Sequence, residues 1–120
     1  MHKLVILIES TSDPAFDQTW PEFLHQAERI PGLLRESTSR VGQVLFGSAA
    51  CEMIHELYFE SYAAMQQGLA SPAGREAGRL LQSMTGGRVT LLFADHTQDD
   101  IENILRYQRP QSEADETTQR

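Results

Sequence analysis

Cysteine is nearly absent from this chain. Cys51 is the only one in 120 residues, so no internal disulfide can form and no cysteine cluster can hold zinc or an iron–sulfur centre. Long apolar runs are also missing. The longest, Leu4 to Ile8, falls far short of the roughly 20 residues a membrane helix needs, and no small-residue cleavage site follows it. Basic residues are scarce: 10 Lys and Arg against 17 Asp and Glu give a net charge of −7. Without a basic patch to neutralise phosphates, nucleic-acid binding is disfavoured. The four histidines, His2, His25, His55 and His96, are scattered, with no pair at i, i+4. No glycine-rich loop follows a strand, so neither a metal nor a nucleotide cofactor is expected. These absences describe a soluble, cytoplasmic protein without a cofactor.

What is present is ordinary globular material, 40% hydrophobic and 22% charged. Leu4 to Ile8 is a continuous branched run, as in a central strand buried on both faces. Asp13-Pro14 offers an N-cap and a first-turn proline. Phe16, Trp20, Phe23, Leu24, Ala27 and Ile30 then form one helical stripe. Pro21 inside that stripe predicts a kink or a detached first turn, and Pro31-Gly32 ends the helix. The polar stretch 35–40 reads as an edge strand. With a turn at Gly47-Ser48 and a strand over 51–60, residues 33–60 read as a hairpin. Ser61 and Ser71-Pro72 start two more helices, the second carrying Ala77, Leu80, Leu81 and Met84, and Gly86-Gly87 stops it. Val89 to Ala94 is the last strand. Thr97 to Asp100 resembles a capping box before Ile101, Ile104 and Leu105. The polar residues 109–120 read as a disordered tail after a domain over 1–108.

The order β-α-β-β-α-β is the split βαβ motif, which defines a ferredoxin-like α+β domain with a four-stranded antiparallel sheet. Two helices cover only one face of that sheet, yet the first and last strands are apolar at odd and even positions alike. A second copy covering the bare face would give a two-sheet dimeric α/β barrel, so a homodimer is expected.

Several motifs resemble the EthD-like family, named for ethyl tert-butyl ether degradation, of the dimeric α/β barrel superfamily. They are Phe16-Asp17 with Trp20, Ile30-Pro31-Gly32-Leu33, His55 to Ser61, Leu69 to Gly74, and Gly86-Gly87 leading into Val89 to Leu92. The resemblance covers about residues 3–96. It implies a homodimer with a pocket between sheet and helices. It also implies a spread of chemistries among related barrels, including isomerases, cofactor-independent monooxygenases, haem-using oxygenases and polyketide cyclases or dehydratases. The pattern departs at one position. Family members often carry a histidine four residues after the aromatic matching Trp20, where this chain has Leu24 followed by His25. A one-residue shift turns a helical side chain by about 100°.

Five residues stand out as candidates. His55, His25 and Tyr58 are the catalytic ones, suited to proton transfer. Trp20 and Phe23 could form the aromatic wall of a small-molecule pocket. The functional expectation is a dimer that binds an apolar or aromatic small molecule, with an auxiliary part in catabolism such as ether degradation or in polyketide metabolism. Against it stand a cofactor-independent dehydratase, isomerase or monooxygenase, and a haem-binding oxygenase.

Overall fold

The computed structural model describes residues 1–99. Its elements are β1 (His2–Ile8), α1 (Pro14–Glu28), β2 (Leu33–Arg40), β3 (Met53–Phe59), α2 (Tyr62–Ala70), α3 (Pro72–Thr85) and β4 (Val89–Asp95). The strands form one antiparallel sheet in the order β2-β3-β1-β4. The apolar strand β1 is therefore central and the polar strand β2 lies at an edge. Each helix starts where a short side chain satisfies free amides: Asp13, Ser61 and Ser71 accept from Ala15, Ala64 and Gly74. Gly86, in the left-handed conformation at φ 61°, ends α3.

The helices pack on one face of the sheet. Leu4, Ile6 and Ile8 of β1, with Met53, Leu57 and Phe59 of β3, bury against Phe16, Phe23, Ala27, Met65, Leu81 and Met84. Two glycines let α2 pack closely, Gly74 where α3 meets it and Gly68 where it meets the α1–β2 connection. A Cβ on Gly74 would run into the Gly68 and Leu69 carbonyls, and one on Gly68 would lie 2.6 Å from the Pro31 carbonyl.

Two expectations need correction. Helix α1 runs unbroken through Pro21; Pro21 and Asp17 are both exposed, so the carbonyl that loses its partner lies on the solvent side. The β2–β3 connection is no tight turn at Gly47-Ser48. Pairing stops at Arg40 and resumes at Met53, leaving a long loop closed at its base by the Val41 amide donating to the Glu52 carbonyl. At its tip Leu45 and Phe46 are almost fully exposed. The tail 109–120, and all but the start of the predicted terminal helical turn, lie outside the described residues.

Candidate functional site

A cavity of about 280 Å³ lies between the helix layer and the β1–β4 half of the sheet. Leu4 and Ile6 of β1, Leu57 of β3, and Leu91 and Phe93 of β4 form its floor. Phe23 and Ile30, Leu69, and Gly74, Ala77, Gly78 and Leu81 close it from above. The periodicity of α3 explains the shape. Its inward face carries two glycines and an alanine, so the helix holds space open instead of filling it. Among the described residues no ionisable or hydroxyl side chain lines this cavity. Leu91 and Phe93 remain 53% and 56% exposed because β4 is an edge strand that the helices do not reach across. Phe23 lines this cavity, whereas Trp20 is not among the lining residues.

Trp20 serves a second, polar cluster. It stacks between Phe16 and Phe23, at 5.3 and 5.2 Å between ring centroids. Its ring meets His55 edge to face at 5.1 Å, and Phe23 meets the same imidazole at 5.7 Å. His55 is 1% exposed on the helix-facing side of β3. Both its nitrogens have partners on β2: Nδ1 lies 2.8 Å from the Thr38 hydroxyl and Nε2 2.9 Å from Glu36 Oε1. Thr38 sits directly opposite His55 in the sheet register, which makes this contact a consequence of strand pairing. Burial pushes the imidazole down to about 4, outweighing nearby acid. Burial, reinforced by repulsion from Glu28, pushes the Glu36 carboxyl up. With Glu36 ionised, neutral His55 donates from Nε2 to Oε1 and accepts from Thr38 at Nδ1. The second carboxylate oxygen, Oε2, is buried without a partner among the described residues.

No protein-family model matches the chain. An uncharacterized 11.0 kDa protein from the thcB-thcC intergenic region of Rhodococcus erythropolis is 29% identical over 97 residues, 79% of this chain and 94% of that protein. An ethyl tert-butyl ether degradation (EthD) family protein from Bacillus halodurans superposes with a TM-score of 0.72 at 24% identity, covering 81% of this chain and 99% of the other. The chain shares the fold of that Bacillus protein. A dimeric ferredoxin-like protein of unknown function from Jannaschia matches with a TM-score of 0.64 at 16% identity, over 79% of this chain and 98% of that one. A cofactor-independent oxygenase from Streptomyces nogalater matches with a TM-score of 0.58 at 12% identity, over 82% and 93%.

Within this ferredoxin-like fold the three predicted catalytic residues do not converge. Tyr58 lies on the opposite face of β3 from His55, 4% exposed. The Arg35 guanidinium sits 4.1 Å from its ring centroid, with Lys3 at 5.3 Å, and His96 packs edge-on at 5.1 Å. Beside it Glu56 is paired with Lys3 and accepts from Ser37; the ammonium holds its carboxyl below the usual range. The partner of Glu56 is thus a lysine on the neighbouring strand β1. His25 stands on the outer surface of α1, exposed, in a shallow depression with Pro21, Glu22, Gln26, Glu76 and Leu80. Among the described residues no three His, Cys, Asp or Glu side chains group as a metal site, and no helix is long and apolar enough to cross a membrane. Sequence reading missed Glu36 and Thr38. Their signal was parity: alternate residues of a polar edge strand must face the helix layer.

Proposed function

We propose that this protein binds a small apolar or aromatic molecule in the helix–sheet cavity and acts as a homodimer paired through its uncovered sheet face. The cavity is the observation that carries the reading. An apolar cavity of roughly 150 Å³ is enough to hold benzene; this one is nearly twice that and suits a two-ring or branched hydrocarbon skeleton. Its apolar lining favours a ligand whose recognition is by shape and burial. The dimeric description of the Jannaschia neighbour supports the pairing. A part in catabolism, such as ether degradation, rests on the likeness to the Bacillus EthD family protein.

Trp20, the single tryptophan, reports on the site because it stacks on Phe23 in the cavity wall. Titration with a neutral naphthalene derivative should change its emission saturably. Gly78→Leu should abolish that change without unfolding the protein, since a Cβ there meets nothing within 4 Å. A signal that does not saturate, or that survives in Gly78→Leu, would refute the reading.

A second reading is catalytic. It draws on one contact: Phe23 touches both the cavity and His55, so a neutral imidazole stands one side chain behind the ligand. A Phe23 rotation would expose it as a base for dehydration or isomerisation. On that reading His55→Asn binds the ligand but does not turn it over.

A further inference from the structure

The cavity lining is apolar, but its residues have polar neighbours, and most of these are committed within the fold. Ser71 donates to the Gly68 carbonyl at 2.6 Å and accepts from the Gly74 amide. Thr85 donates to the Leu81 carbonyl at 2.8 Å. His55, behind Phe23, has both nitrogens taken. Tyr62 is different. Its ring meets the cavity residue Phe93 edge to face at 5.6 Å, and its hydroxyl accepts from the Gln66 side-chain amide at 3.2 Å. The hydroxyl hydrogen is left without an acceptor among the described residues. We infer that the cavity takes an apolar ketone, with its hydrocarbon skeleton buried in the cavity and its carbonyl oxygen accepting a hydrogen bond from Tyr62 at the Phe93 end.

The helix period puts Tyr62 in this position. Tyr62, Gln66 and Leu69 fall at i, i+4 and i+7 along α2, one stripe of that helix, and Leu69 lines the cavity. Phe93 pairs with Leu4 in the sheet register, and both belong to the cavity floor. Tyr62 therefore marks the end of the floor nearest the start of β1, where the His2 ring also meets it at 5.8 Å. Tyr62 and Phe93 are 42% and 56% exposed, so a ligand reaches the hydroxyl without displacing the core. A carboxylate head does not fit. Among the described residues no Lys or Arg lines the cavity or stacks at this end, so its charge would leave water unpaired. An alcohol brings a hydrogen that needs a further acceptor, whereas a carbonyl needs only the donor that Tyr62 keeps. The inference deepens the proposed ligand site and rests on it, adding an orientation and a chemical class to recognition by shape.

Calorimetric titration with a matched pair of probes tests this. 2-Acetylnaphthalene and 2-isopropenylnaphthalene have the same shape and differ only in a carbonyl oxygen against a methylene. Tyr62→Phe keeps the ring on Phe93 and removes the hydroxyl. It should weaken the ketone about fivefold, the scale of one neutral hydrogen bond, and leave the alkene unchanged. Gln66→Glu gives Tyr62 an acceptor where the wild type gives it a donor, which turns the hydroxyl hydrogen away from the ligand. That variant too should weaken the ketone and spare the alkene. Both side chains are exposed, so neither substitution disturbs the core. Equal losses for the two probes in Tyr62→Phe would make Tyr62 a plain wall residue, and no loss for either would leave the carbonyl unrecognised. Each of these results overturns the inference, as does a wild type that binds the alkene but not the ketone, and all leave the cavity reading standing. A wild type that binds neither probe would instead refute the cavity reading, and this inference with it.

Discussion

His55 concentrates the chemistry of the core in one side chain. In the unfolded chain its ring titrates near 6.5, in the fold at about 4. Between these values the unfolded state holds the extra proton, so the stability contributed by neutral His55 is complete above pH 6.5 and is lost as the pH falls towards 4. A shift of that size is worth on the order of 3 kcal/mol. Glu36 has the opposite sign: its raised carboxyl contributes stability below its ordinary 4.5, and that contribution fades as the pH rises through its folded value. The urea midpoint should therefore drop between pH 6.5 and 4, more steeply in Glu36→Gln and much less in His55→Asn. Equal slopes in wild type and His55→Asn would show that the histidine is not the titrating group. The sequence made His55 visible as a mid-strand histidine among apolar neighbours. It did not reveal that both nitrogens were already taken, because the partners lie on another strand and depend on register.

At the scale of elements, two glycines four residues apart on α3 have opposite meanings. Gly74 allows α2 and α3 to touch, and Gly74→Ala should cost several kcal/mol by overpacking against backbone. Gly78 has open space where a Cβ would go, so Gly78→Ala should stabilise by up to about 1 kcal/mol through helix propensity. Thermal denaturation of the two variants checks both signs, and a destabilised Gly78→Ala would contradict the open space at that position. The loop 41–52 makes a further contrast. Phe46 is 97% exposed, so Phe46→Ser should leave the denaturation midpoint unchanged and raise solubility. The helix starts and stops were legible because Asp13, Ser61, Ser71, Pro14, Pro72 and Gly86 act locally. The loop was not, since Gly47-Ser48 is a turn signal only if the strands on either side continue to pair.

At the scale of the molecule, the uncovered sheet face is divided. Val5, Leu7, Ile54 and Leu92 give it an apolar half, while Lys3, Glu56, Tyr58 and Arg35 give it a charged and aromatic half. Leu92 is 46% exposed in the protomer, so Leu92→Arg should leave the fold intact and convert dimer to monomer by light scattering. A wild-type chain that is already monomeric at micromolar concentration would dispose of the pairing. A Leu92→Arg chain that keeps the dimer mass would place the interface elsewhere.

By itself the sequence determined the order of elements, the central position of β1, the polar edge of β2 and the ferredoxin-like topology. Each follows from periodicity and caps, which act within a few residues. Only the tertiary structure decided the site. The cavity exists because α3 presents Gly74, Ala77 and Gly78 to a floor made by two strands. His55 is buried and neutral because Thr38 and Glu36 of β2 and Trp20 and Phe23 of α1 enclose it. Tyr58, three residues from His55, lies on the other face of the sheet because strand parity separates them. Those relations depend on register and layer packing, which residue types alone do not encode.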